Sequence, residues 1–282
     1  MQEKVRSLFT AEAGYWENVY RQPQSLASLI YRQRKAIALA WTDELALPAG
    51  ARALDLGCGA GLTSVALARR GLHVSAVDFT DAMIQLTQAR VVGANVANRV
   101  FAEVCDAHAL SFADRTFALV IALGLVPWLH TVPLALREIV RVLQPGGYLI
   151  LTADNRARLD YFLDPLHNIE LRPVKRRLRS LMEQRGLWRR PQSIRMNLYS
   201  RDELLQLLRD VRVEPLHTAA LGFGPFTWMG RSVLPQLAGI RLHQLLQGLA
   251  ERGTPGLRAT SGQYMVLSRK LPDLTRDSGQ PD

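Results

Sequence analysis

Leu54-Asp55-Leu56-Gly57-Cys58-Gly59-Ala60-Gly61, followed by Asp78 at the close of a second apolar run, is the stretch that decides how this chain folds. Ala51 to Leu56 reads as a strand and Leu62 to Arg70 as a helix, and the glycines between them let backbone pass close to a ligand. That geometry predicts a turn that offers bare amides to whatever binds there. The spacing is Gly-x-Gly-x-Gly behind Asp55, whereas nicotinamide and flavin sites carry Gly-x-Gly-x-x-Gly, so a dinucleotide is the weaker match. His73 to Val77 is a short apolar run ending in Asp78, where an acidic residue accepts hydrogen bonds from ribose hydroxyls. Phe79-Thr80-Asp81-Ala82-Met83 opens the next helix.

Further elements follow in order. Cys105-Asp106-Ala107-His108 leads a polar connection, Phe117 to Ala122 reads as a strand, and Leu136 to Leu151 reads as a helix, a Pro145-Gly146-Gly147 turn and a strand. Together with the glycine turn and Asp78, these segments resemble the class I S-adenosylmethionine-dependent methyltransferases over roughly residues 51 to 153. The resemblance implies an α/β, Rossmann-like fold. Its sheet has seven strands, parallel with an antiparallel last strand, and helices flank it. Val211 to Leu221 and Gln263 to Ser268 read as the last two strands, and the family pairs them antiparallel with the final one beside the fifth.

The resemblance also assigns a cofactor, S-adenosyl-L-methionine, with S-adenosyl-L-homocysteine as product. Gly57, Cys58, Gly59 and Gly61 border its amino-acid portion, and Asp55 orders the loop and receives the ammonium through water. Asp78, with Phe79 beside it, takes the ribose hydroxyls; Asp106 and Ala107 meet adenine; Met83 and Leu123 wall the pocket. Catalysis by in-line displacement asks mainly for alignment and exclusion of water, with a base only when the acceptor arrives protonated. His130, after the fourth strand, and Asp154, after the fifth, are the candidates for a base or an acceptor-orienting group. The alternative for His130 is simple packing beneath its loop. No metal site is expected.

Length and composition agree with one α/β domain and accessory elements: 282 residues, 48% hydrophobic. The reading divides the chain into a helical N-terminal cap (1–46), a methyltransferase domain (47–270) with insertions at about 155–198 and 222–260, and a flexible tail (271–282). Two cysteines, Cys58 and Cys105, make neither a disulfide framework nor a metal cluster, and no apolar run is long enough to span a bilayer. A cytoplasmic setting, peripheral to the inner face of a membrane, is the expectation.

Charge locates the partner. The formal net charge is +10, and Arg172 to Arg195 alone holds nine basic residues against Glu183. That segment suits phosphate, an anionic membrane surface or an acidic substrate, or else is a solvated face. Gly222 to Leu249 combines Phe223, Phe226, Trp228, Met229 and a run of leucines with Arg231 and Arg241, which reads as a packed helix or as an apolar lid. An amphiphilic acceptor unites the two segments, so the favoured function is methyl transfer to a small or lipid-like molecule, first of all at oxygen. One alternative is an RNA or protein methyltransferase that uses the basic segment as a handle. The other is a non-catalytic cofactor-binding protein. Leu123-Gly124-Leu125-Val126-Pro127-Trp128 lacks the Asn/Asp-Pro-Pro-Tyr/Phe pattern of enzymes that act on flipped bases, which makes nucleic acid the lesser partner. The oligomeric state is not legible.

Overall fold

The computed structural model describes residues 2–19, 25–168, 171, 173, 175, 177 and 196–272. Most of the basic stretch from Arg172 to Arg195, and the tail beyond residue 272, therefore lie outside the described residues. Three helices lead: α1 (Gln2–Ala11), α2 (Ala13–Asn18) and α3 (Leu26–Glu44). Ser25 starts α3 by accepting the Ser28 amide on its hydroxyl at 3.0 Å. Strands and helices then alternate as β1 (Arg52–Leu56), α4 (Leu62–Ala68), β2 (His73–Asp78), α5 (Asp81–Gly93), β3 (Val100–Val104), β4 (Phe117–Ala122), α6 (Val132–Val142) and β5 (Leu143–Asn155). After α7 (Leu159–Leu163) come β6 (Leu198–Tyr199), α8 (Arg201–Asp210), β7 (Val213–Leu221), the hairpin β8 (Thr227–Trp228) and β9 (Arg231–Ser232), α9 (Gln236–Glu251) and β10 (Gln263–Lys270).

The main sheet runs β3-β2-β1-β4-β5-β10-β7. Its first five strands are mutually parallel, and β10 lies antiparallel between β5 and β7. The final strand is therefore inserted beside the fifth, as the sequence leads one to expect. The expected count of seven strands needs correction, because Leu198 and Tyr199 pair in parallel with Asp154 and Asn155 and add a short eighth strand, β6. Pro145-Gly146-Gly147 is likewise not a turn before the strand. β5 already begins at Leu143, and its register against β4 skips between Phe117 and Leu119, so the glycines form a bulge inside it. Gly146 has φ +75°, and a Cβ on Gly147 would stand 2.9 Å from the Gln144 carbonyl oxygen.

Period-two alternation gives the sheet two apolar faces. Leu54, Leu56, Val120, Leu149 and Leu151 pack under α6 and α8, whereas Ala53, Leu119, Ile121, Ile150 and Met265 pack under α3, α4 and α5. A capping box starts α8: the Ser200 hydroxyl accepts the Glu203 amide, and the Glu203 carboxylate accepts the Ser200 amide. This construction leaves the carboxyl ends of the parallel strands open at one rim, which is where sheets of this kind hold ligands. No helix among the described residues is long and apolar enough to cross a membrane.

Candidate functional site

Strand ends β3, β2, β1, β4 and β5 contribute, in that order, Asp106, Asp78, Asp55, Leu123 and Asp154 to the wall of one cavity of ≈ 250 Å³. A single water needs only ~10–15 Å³ by the same measure, so the space accommodates an organic molecule. Of the residues expected to bind a cofactor, Asp55, Gly57, Cys58, Gly59, Asp78, Phe79, Met83, Asp106, Ala107 and Leu123 all line it. Gly61 does not. It is the left-handed N-cap of α4 (φ +75°), and a Cβ there would lie 2.9 Å from the Thr87 side chain, so it holds the loop against α5.

The glycine turn departs from expectation in one respect. Its amides are not bare: Gly57 and Cys58 both donate to the Val77 carbonyl (2.8 and 3.0 Å), Gly59 donates to Asp78 Oδ2 (3.1 Å), and Gly61 donates to the Cys58 carbonyl (3.0 Å). The glycine amides are therefore spent on the fold of the turn and not held out to a phosphate. Its glycines serve close approach, and a Cβ on Gly59 would meet open space.

Carboxylates dominate beneath and beside this turn. Burial lifts Asp55 to about 6, against the hydrogen bond from the Ser64 hydroxyl, with the nearby Asp78 charge adding to the rise. Burial also raises Asp78, and bonds from the Thr80 amide (3.0 Å) and hydroxyl (2.9 Å) and the Gly59 amide offset only part of that. Asp106 is half-buried, but its carboxylate accepts the His108 amide (2.9 Å), the His108 ring (2.7 Å) and Gln2 Nε2 (2.8 Å), and these bonds hold it below the ordinary range. Cys58 is a buried thiol whose ionisation burial opposes, so it acts as wall and not as nucleophile.

The leading helices close the cavity from above. Gln2, Val5 and Phe9 of α1, Trp16 of α2, and Tyr31 and Arg34 of α3 line it. Their rings interlock: Phe9 meets Trp16 at 5.8 Å and Trp128 edge-on at 5.1 Å, and Trp16 meets Tyr31 at 5.5 Å between centroids. Arg6 lies 4.3 Å over the Phe79 ring and fastens α1 above the end of β2. Opposite, Gly124 follows β4 with its amide bonded to the Thr152 hydroxyl at 2.7 Å, and the chain turns through Val126-Pro127-Trp128.

Asp154 lines the cavity at the end of β5. Burial raises it, while the charges of Arg158 and Arg34 and the bond from Gln263 Nε2 (2.7 Å) work the other way. His130 does not line it. Leu129 turns inward and is buried, and the exposed His130 sets its ring at a tilt with its centroid 3.6 Å from that of His108, outside the space it was expected to face. Gln2 Nε2 also touches His130 Nδ1 at 3.2 Å. Among the described residues no group of His, Cys, Asp and Glu is arranged to hold a metal ion.

Several residues that line or brace the cavity were not singled out for it in the sequence. Gln263 reaches Asp154 because β10 lies beside β5, a pairing that fixes its register at Gln263–Asp154. Asn197 grips the loop after β4, its amide bonding the Pro127 carbonyl at 3.0 Å and its side chain that of Val126 at 3.3 Å. Gln2 and Arg34 carry no local signature; the sequence offered only a helical cap over residues 1–46.

Residues 54–151 match the family model described as a methyltransferase domain. Among curated proteins, the demethylmenaquinone methyltransferase of Clavibacter sepedonicus is 38% identical over 114 residues, which is 40% of this chain and 45% of that protein. The ubiquinone/menaquinone biosynthesis C-methyltransferase UbiE of Geobacter sulfurreducens is 27% identical over 153 residues, 53% of this chain and 57% of that protein. The chain thus spans about half the length of the curated relatives it matches. Among solved structures, magnesium protoporphyrin IX methyltransferase from Synechocystis PCC 6803, with bound S-adenosyl-L-homocysteine, superimposes with a TM-score of 0.62 at 16% identity, covering 96% of this chain and all 100% of that one. At that identity the likeness is one of fold.

Proposed function

We propose that this chain, a member of the class I S-adenosylmethionine-dependent methyltransferase family, moves a methyl group from S-adenosylmethionine to a small, largely apolar organic acceptor. The observation that carries the reading is the row of carboxylates Asp106, Asp78 and Asp55 on successive strand ends beneath a glycine turn whose own amides are already bonded. The glycine amides of the turn are already engaged, whereas a cationic nucleoside finds acceptors for its hydroxyls and a negative field. The residues present therefore fit this cofactor, which supplies an electrophilic methyl on a sulfonium when bound.

What the chain contributes is position and dryness. Asp78 takes the ribose hydroxyls and Asp106 with Ala107 the adenine, while Gly57 and Gly59 let the amino-acid portion lie against backbone and Asp55 attracts the ammonium. The acceptor side of the cavity would be at the β4 and β5 ends, where Leu123, Leu125, Trp128, Trp16 and Tyr31 provide apolar walls. In this reading residues 1–46 are a cap that keeps water out during transfer. Asp154, raised by its burial, orients the acceptor or takes its proton. His130 acts at most through His108, on the adenine side. Oxygen is the proposed acceptor atom, with carbon as the other outcome, since one relative is by name a C-methyltransferase. Exposed Trp228, Met229, Val233 and Leu237, with Arg231 among them, are proposed to touch an anionic membrane surface from which a lipid-like acceptor is drawn.

Incubation with methyl-labelled S-adenosylmethionine and cell extract, followed by partition of the label, tests the reading. Label in organic-soluble or small aqueous products is expected. Label confined to RNA or protein would replace the acceptor class, and absence of S-adenosylhomocysteine binding by calorimetry would remove the cofactor.

A further inference from the structure

Arg34 is a buried arginine (6% exposed) on the wall of the cavity, and among the described residues its Nε finds no hydrogen-bond partner. It stacks on Tyr31, 4.9 Å from the ring centroid, and sits against the backbone of Gly124, where a Cβ would come within 2.8 Å of Nη1. Arginine cannot relieve burial by shedding its proton, and a planar fork of five donors leaves a demand that one aromatic face does not meet. Its charge acts on Asp154, but Gln263 and Arg158 already engage that carboxylate. A buried cationic donor with spare capacity facing an open cavity calls for an anionic guest.

Position distinguishes the guest. The nucleoside carboxylates stand on β3 and β2, and β1 carries the glycine turn; Arg34 meets the chain just past β4 and acts on the acid ending β5. At ~4.8 Å per strand this is roughly 10 Å from the ribose acid, on the far side of the glycine turn. Resting on the reading above, we propose that Arg34 docks an anionic oxygen group of the acceptor, a carboxylate or an ionised phenol or enol borne on a flat apolar body that Trp16, Tyr31 and Trp128 enclose. The guanidinium lowers the proton affinity of such an oxygen and aims its lone pairs, so the acceptor enters already ionised and no strong base is required of the protein.

Equilibrium dialysis of wild type and R34M with 2-naphthoate and with the neutral isostere 2-naphthamide, each with and without S-adenosylhomocysteine, tests this. Wild type is expected to prefer naphthoate by about tenfold or more, and R34M to lose that preference, with S-adenosylhomocysteine affinity changing by less than about threefold. R34K should retain part of the preference, because it keeps the charge without the fork. A wild type indifferent to the charge, or a preference that survives in R34M, overturns the proposal. If R34M instead weakens S-adenosylhomocysteine while leaving 5′-methylthioadenosine unaffected, the guanidinium serves the cofactor's own carboxylate and the proposal is likewise overturned. Should R34M fail to fold, R34Q is read by the same ratio. The naphthoate ratio without cofactor reads Arg34 even if wild type binds no S-adenosylhomocysteine, so failure of the cofactor assignment is seen separately.

Discussion

Asp55 holds a proton in the folded protein that the unfolded chain gives up earlier. Burial sets its folded value at about 6 against an ordinary 3.8, so between those two pH values the native state binds more protons. Its contribution to stability is therefore complete below about pH 4 and is lost as pH rises through 6, a change of up to about 3 kcal/mol. Asp55→Asn keeps an oxygen for the Ser64 hydroxyl and has no charge to bury. It should gain on wild type as pH rises from 4.5 to 7, as read by urea midpoints, and parallel pH profiles for the two proteins would refute the buried-charge account. Asp78→Ala should weaken S-adenosylhomocysteine by about 10- to 100-fold through loss of charge-assisted bonds. Thermal melting reports whether the fold survives, and unchanged affinity by calorimetry would sink the ribose assignment. These two aspartates were legible because each stands at or next to the end of an apolar run that reads as a strand, Asp55 just before the glycine turn and Asp78 at the close of the next run. Arg34 was not, since its meaning depends on Gly124 and Asp154, about 90 and 120 positions away. His130 was misleading for a related reason: sequence placed it after β4, but only the inward turn of Leu129 decided which way its ring would point.

Within the elements, Gly59 and Gly61 of the turn have different jobs and predict different failures. Gly61 at φ +75° has Thr87 at 2.9 Å, so Gly61→Ala adds a clash with α5 to left-handed strain and should lower stability by about 2–4 kcal/mol. Gly59 at φ +53° faces open space, so Gly59→Ala should lose only about 1–2 kcal/mol yet impair cofactor affinity more than Gly61→Ala does. Equal losses of urea midpoint in the two variants would show that packing against Thr87 is not what distinguishes them. The alternating strands and helices were readable from period and spacing. The hairpin of β8 and β9 and the short β6 were not, because two-residue strands carry no period. Nor did spacing distinguish a Pro-Gly-Gly turn from a bulge; that depended on the register of β5 against β4.

Taken as a whole, the molecule sets an acidic cavity inside a protein of net charge +10. The interior field suits a cationic cofactor, and the exterior suits an anionic surface. If Trp228 and Met229 seat in that surface, the double variant W228S/M229S should reduce cosedimentation with phosphatidylglycerol vesicles several-fold at low salt without altering S-adenosylhomocysteine affinity. Wild type that stays in the supernatant at every salt concentration would end the membrane proposal.

The order of the sheet has a consequence during synthesis. β10 sits between β5 and β7 although every other strand of the sheet precedes it in the chain, and its first residue, Gln263, is the one that bonds Asp154. A nascent polypeptide halted before residue 263 has made its glycine turn and all its parallel strands, yet it carries an open slot with two unpaired backbone edges. Such a fragment would be sticky and lack part of the cavity wall. Ribosomes that stall late on this message therefore yield products suited to chaperones and proteases rather than to catalysis, and the arrival of one strand at the centre of the sheet both seals the protein and completes its site.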